Sequence, residues 1–178
     1  MISDFVKGKK QYDYSPGIQK GIRLHREIDE FTDTHPATKQ LKEFFRPYYR
    51  LYSGAFTDVT YDHFLANDDN EFSSSAALQA FSASVYAIIN EHIEMLPAGF
   101  QRLFPYMRSQ DWLFNYRYPL LIEKSFLGLE RRAKFLQESG AAFRIFTENL
   151  EAMRSIYVSF FPELKTFAAH KLQESLNG

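Results

Sequence analysis

Cysteine is absent from this 178-residue chain, which removes disulfides, thiolate metal centres and a cysteine nucleophile at once. Net charge is nearly absent too, at −1 with a pI near 6.5, so no global field draws the chain to nucleic acid or to an anionic membrane. No apolar run approaches the roughly 18 residues a membrane-spanning helix needs. The opening Met1-Ile2-Ser3-Asp4 lacks the basic-then-apolar pattern of a secretion signal, and a cytoplasmic location is expected. Runs of alternating β-branched residues between tight turns are missing, as are repeats, low-complexity segments and long linkers. What is plentiful is aromatic carbon: 18 Phe and 11 Tyr, large surfaces that a core of this size must absorb. These features predict an all-α chain folded as a single helical domain over residues 1–178.

Helix boundaries follow from proline and glycine. Ser15 and Pro16 open a first helix whose stripe runs Ile18, Ile22, His25, Asp29 and which stops before Pro36. A second spans Pro36 to Tyr52 with Leu41, Phe44, Phe45, Tyr48 and Leu51 inward and a kink at Pro47. Ser53-Gly54 breaks the pattern, and a third helix carries Val59, Asp62, His63 and Leu65, followed by a polar loop from Asn67 to Ser75. Leu78, Phe81, Val85, Ile88, Ile89 and His92 trace a fourth helix ending at Leu96-Pro97. Short helices follow around Phe100–Met107, interrupted at Pro105, and around Trp112–Tyr116. Another runs from Leu120 to about Gln137, and the last begins near Thr147 with a kink at Pro162.

Charge sits on these helices where soluble proteins usually avoid it. His25 and Asp29 are spaced to share one helical face, and Asp33 continues the row one turn on. Asp62 and His63 are adjacent, so they leave their helix about 100° apart and can straddle an ion only at a helix edge. Each pair alone has an ordinary reading as a solvated contact. Together, imidazole and carboxylate make a mixed donor set suited to Mn²⁺, Fe²⁺, Zn²⁺ or Mg²⁺. Such an ion polarises phosphoryl oxygen and acidifies water. Arg26 and one of Lys7, Lys9 or Lys10 could then neutralise a phosphate, the remaining lysines being a solvated face. His35 reads as a cap or surface residue, His92 as a core histidine and His170 as exposed. Arg131, Arg132 and Lys134, with Lys124 and Arg117, form a basic cluster that an acidic partner could meet.

The segments Asp4-Phe5-Val6-Lys7-Gly8, Gly21 to Asp29 with Thr32-Asp33 and Pro36, and Asp58-Val59 with Tyr61-Asp62-His63-Phe64-Leu65 closely resemble the acyl carrier protein phosphodiesterases. Fainter echoes at Gln110, Trp112-Leu113 and Tyr116, then Leu127-Gly128-Leu129 with Arg131-Arg132, extend the resemblance over nearly the whole chain. It implies a helical variant of the HD-type metal phosphohydrolase fold. It also implies Mn²⁺-dependent hydrolysis of the phosphodiester joining 4'-phosphopantetheine to a serine of holo-acyl carrier protein, an acidic helical bundle. On that basis Asp4, His25, Asp62 and His63 are expected to ligate the metal, and Asp29 to ligate it or orient an imidazole. Asp33 and Asp58 are expected as supporting or general-base carboxylates, Arg26 on the phosphate, and Arg131 and Arg132 on the carrier. Family members usually carry a short segment with its own histidine ahead of the Asp4 motif, whereas here the motif begins at Asp4. Two further readings stay open: an HD-like phosphohydrolase of a small phosphate ester, and a carrier-binding module whose turnover was lost with that segment. Neither nucleic acid nor membrane is an expected partner.

Overall fold

Proline placed where its missing N–H is harmless sets the first helical boundary. In the computed structural model, which describes residues 3–132 and 140–177, Ser15 and Pro16 start helix α1 (Pro16–Thr34). His35 ends it, returning its backbone N–H to Phe31 and Thr32, and its ring Nδ1 then accepts from Ala37 N at 3.2 Å to begin α2 (Pro36–Tyr49). His35 is thus a cap, as its position before Pro36 implies.

α2 stops three residues short of its expected end, and a 3₁₀ turn, Arg50–Tyr52, leads into α3 (Ser53–Ala66). Its inward stripe is Thr38, Leu41, Phe45 and Tyr49. Tyr48 and Leu51, expected inward, lie outside that stripe and face solvent, Leu51 at 98% exposure. Pro47 lies within α2 without ending it. Ser53-Gly54, expected as a break, is the first turn of α3.

α3 is the central helix and buries most of its circumference, including Phe56, Thr57, Thr60, Tyr61, His63 and Phe64. Its buried hydroxyls are satisfied locally: Thr57 donates to the Ser53 carbonyl and Thr60 to the Phe56 carbonyl. A helix enclosed on nearly all sides has little amphipathic period, so its sequence betrays only part of its inward face.

The remaining helices are α4 (Ser75–Glu91), α5 (Ala98–Ser109), α6 (Trp112–Asn115), α7 (Pro119–Arg132), α8 (Ala141–Glu148) and α9 (Leu150–Asn177). No strand occurs among the described residues, and no helix there is long and apolar enough to cross a membrane. The expected continuation of α7 to Gln137 lies outside the described residues. α8 was not anticipated; Gly140, at φ 86°, turns the chain into it. Pro105 and Pro162 lie within α5 and α9 without ending either. The inner stripe of α4 is Leu78, Ser82 and Tyr86, so Phe81 and Ile88 face outward and His92 is an exposed residue at the helix end instead of a core histidine. Phe81 is 48% exposed and touches Phe72, with ring centroids 5.3 Å apart.

Two clusters of buried side chains result. The larger joins α2, α3, α7, α8 and α9 through Phe45, Phe56, Phe126, Phe146 and Phe160. Its one buried carboxylate, Glu130, accepts from Tyr49 Oη at 2.6 Å and from Gly140 N at 2.8 Å, the partnering a buried charge requires. The smaller joins α4 and α5 through Tyr86, Leu96, Phe100, Phe104 and Met107, with Trp112 and Leu113 of α6 packed against it.

Candidate functional site

The helical repeat stacks His25, Asp29, Thr32 and Asp33 along one side of α1, and His25 Nδ1 meets Asp29 Oδ2 at 2.8 Å. Asp4 reaches the same place from a 3₁₀ turn, Ser3–Phe5, anchored on both flanks. On one flank Val6 is buried and its carbonyl accepts from the Arg26 guanidinium at 2.7 Å, while the same guanidinium donates to Gln11 Oε1 at 2.7 Å. On the other, the Phe5 ring packs edge-on against Phe100 of α5, with centroids 5.8 Å apart. One donor atom each from Asp4, His25 and Asp29 lies within 4.8 Å of the other two. Oxygen, nitrogen and oxygen at that spacing fit a divalent cation of the Mn²⁺, Mg²⁺ or Zn²⁺ type.

α3 supplies the facing wall. Asp58 and Asp62, one turn apart, line the same cleft with Tyr61 and Leu65, and α9 closes it with Tyr157, Phe160, Phe161 and Leu164. The cleft holds about 540 Å³ and is acidic on the α1 side, aromatic on the α9 side. Tyr61 Oη lies 3.2 Å from Thr38 Oγ1, and burial pushes its hydroxyl up to about 12.

Carboxylates are crowded here. Enclosure by the walls, reinforced by the charge of Asp58, raises Asp62 from 3.8 to about 7. Asp58 rises to about 6, chiefly through enclosure and then through Asp33, with Lys42 pulling it back and Asp29 and Asp4 adding smaller upward pushes. Both side chains are nonetheless exposed at the mouth of the cleft, so solvent screening weakens these shifts and their direction is what the geometry supports. Protein walls behind and like charges alongside make the cluster short of positive charge, a deficit a bound cation would relieve.

The cleft therefore gathers six of the expected residues: Asp4, His25, Asp29, Asp33, Asp58 and Asp62. His63 is not among them. It leaves α3 about 100° round the helix from Asp62, buried to 5% exposure, with Nδ1 2.8 Å from the Tyr116 carbonyl and its ring edge-on to Phe146. Burial holds its imidazole below the usual range, favouring the neutral ring. The angular offset between adjacent helical residues separates it from Asp62. Arg26, expected on a phosphate, instead spends its guanidinium fixing the Val6–Gln11 segment to α1. Lys7, Lys9 and Lys10 are exposed. Arg131 is exposed near the end of α7, a helix that does not line the cleft. The Arg132 side chain and Lys134 lie outside what is described.

Lys42 went unanticipated. Its Nζ donates to Asp33 Oδ1 at 2.7 Å, placing one cation at the rim of an acidic site. The nine-residue separation across the α1–α2 corner is a signal visible only once both helices are placed. The α9 aromatics that close the cleft carry no site signal in the sequence.

The carboxylate shifts fix the sign of a pH dependence. Carboxyls raised in this direction keep protons between about pH 4 and 7 that an unfolded chain has released, so their contribution to stability is present at low pH and lost as pH rises through about 6 and 7, and their exposure keeps it small. In chelator, thermal melts should show this decline, and the Asp58→Asn/Asp62→Asn pair should remove it. A slope unchanged in the double variant would contradict the enclosure of these two groups.

Comparison with known proteins adds an independent line. The family model described as "Acyl carrier protein phosphodiesterase" matches residues 1–164. A protein of that name from Yersinia pestis is 31% identical over 96% of this chain and 89% of its own length. A Photorhabdus laumondii protein of the same name is 29% identical over 96% of this chain and 86% of its own. No solved structure matches.

Proposed function

Because the chain belongs to the acyl carrier protein phosphodiesterase family, we propose that it hydrolyses the phosphodiester between 4'-phosphopantetheine and a carrier-protein serine, releasing apo-carrier. The observation that carries this reading to particular residues is the convergence of Asp4, His25 and Asp29 in a cleft whose other wall bears Asp58 and Asp62.

Asp4, His25 and Asp29 would hold a divalent cation, Mn²⁺ being the ion the family resemblance favours. When bound, the ion supplies positive charge to phosphoryl oxygens and acidifies water. Hydrolysis forms a bond from water oxygen to phosphorus and breaks the bond from phosphorus to the seryl oxygen. Water must lose a proton, and the seryl oxygen must gain one. Asp58 and Asp62, facing the ligand set across the cleft, are disposed to hold and move that proton. Asp33 is steadied by Lys42 at the rim, and Phe160, Phe161 and Leu164 give the pantetheine arm an apolar wall. We also read the helical arrangement as a variant of the HD-type fold, on the resemblance around Asp62-His63, with the difference that His63 here faces the core.

The test is conversion of holo-carrier to apo-carrier, followed by intact mass, on chelator-treated protein with Mn²⁺, Mg²⁺ or Zn²⁺ restored. Conversion should require the metal. Cleavage of small phosphate esters with no effect on holo-carrier would instead favour a small-ester phosphohydrolase, and carrier binding without cleavage under every metal would favour a binding module.

A further inference from the structure

A second groove adjoins the cleft where α2 turns into α3. It holds about 610 Å³ and shares Asp33 and Asp58 with the cleft, so the two adjoin along those carboxylates. Its outer rim is Lys42, Arg46, Arg50 and Leu51. Cations line its outer side and the shared carboxylates its inner end. Lys42 is held by Asp33 and Arg46 pairs with Glu43, whereas Arg50 has no salt bridge among the described residues. The backbone of Arg50 takes φ 44° and ψ −115°, a region that glycine fills without cost and that a side-chain-bearing residue enters under strain. That strained turn throws Leu51 out to 98% exposure between the exposed rings of Tyr48 and Tyr52. At 98% exposure the Leu51 side chain adds little to the core, and it shares its stretch of chain with exposed Tyr48, Arg50 and Tyr52. That stretch has the composition of an interaction surface, where aromatic and arginine residues surround an apolar anchor.

We propose that this corner is the docking surface for the carrier protein, taking an acidic face of it with Leu51 as the apolar anchor and Arg46 and Arg50 as the charges that meet its carboxylates. The assignment rests on the functional reading above. It follows from adjacency: a partner seated on the corner delivers a serine-linked phosphodiester past Asp33 and Asp58 into the cleft, whereas Arg131 belongs to a helix that lines neither space.

The test measures affinity for apo-carrier by titration calorimetry, which needs no turnover, at low and high salt. R46E/R50E should weaken binding about tenfold at low salt and flatten its salt dependence, since each exposed charge contact is modest but two are reversed. L51S, at a side chain that touches little of the fold, should weaken it several-fold without moving the melting temperature. R131E should bind as the unmutated protein does. Wild-type affinity in both R46E/R50E and L51S overturns the proposal, as does an equal loss in R131E. The functional reading fails separately, if the unmutated protein binds carrier but never yields apo-carrier with any metal.

Discussion

His25→Ala should reduce conversion of holo-carrier by more than a hundredfold while leaving the helical signal and the melting temperature nearly unchanged. The ring meets the Asp29 carboxylate and lies beside Asp4, so under the proposed reading its loss would remove a metal ligand, a larger injury than the roughly 10–100-fold cost of losing a group that merely supports one. His63→Ala is the natural contrast. That ring is buried against Phe146 and bonded to the Tyr116 carbonyl, so its removal should cost about 1–3 kcal/mol from the unpaired carbonyl, with further loss from the cavity. Its turnover per folded molecule should persist. Metal titration by calorimetry separates the two, because only His25→Ala should abolish the strong binding event. Tight metal binding in His25→Ala, or its loss in well-folded His63→Ala, would reverse the assignment of the two histidines.

Phe56→Ala should cost about 3–5 kcal/mol in chemical denaturation. The ring is fully buried and meets Tyr49, Phe45 and Phe126 at centroid distances of 4.2, 5.6 and 5.4 Å, so α2 and α7 both pack against it. Phe81→Ala, on the half-exposed side of α4, should fall within about 1 kcal/mol of the unmutated protein, as surface substitutions usually do. Comparable losses at the two positions would mean that α4 presents a different face to its neighbours.

The contrast between these rings also marks where the sequence was legible. Proline located the starts of α1 and α2, joined at α2 by the His35 cap, because those signals act within a turn of the boundary they set. The His25, Asp29 and Asp33 row was readable for the same reason, being a property of one helix. What one strand of text could not carry was rotation between helices. Phe81 and Phe104 look alike in sequence, and only the packing of α4 on α5 puts one at the surface and the other in the core. Asp62 and His63 were placed together because they are adjacent, yet α3 is enclosed on nearly all sides and can send neighbours to different destinations. Arg26 was read as free charge because its partners, Val6 and Gln11, lie on a segment whose return to α1 has no local signature.

The seat of Phe5 bears on how long an ion stays. Gly99, near the start of α5, lies so close that a side-chain carbon built there would come within 2.7 Å of the Phe5 ring. The residue beside Asp4 therefore leans on the smaller hydrophobic cluster, while His25 and Asp29 ride on a helix packed against α9 of the larger one. The two parts of a protein need not open at the same rate, and segments with fewer buried contacts exchange their amides sooner. Were Asp4, His25 and Asp29 to hold an ion as proposed, a lift of α5 would take the backing from Phe5 and free Asp4 ahead of the two donors on α1. Residence time, more than affinity, would record the health of that distant helix.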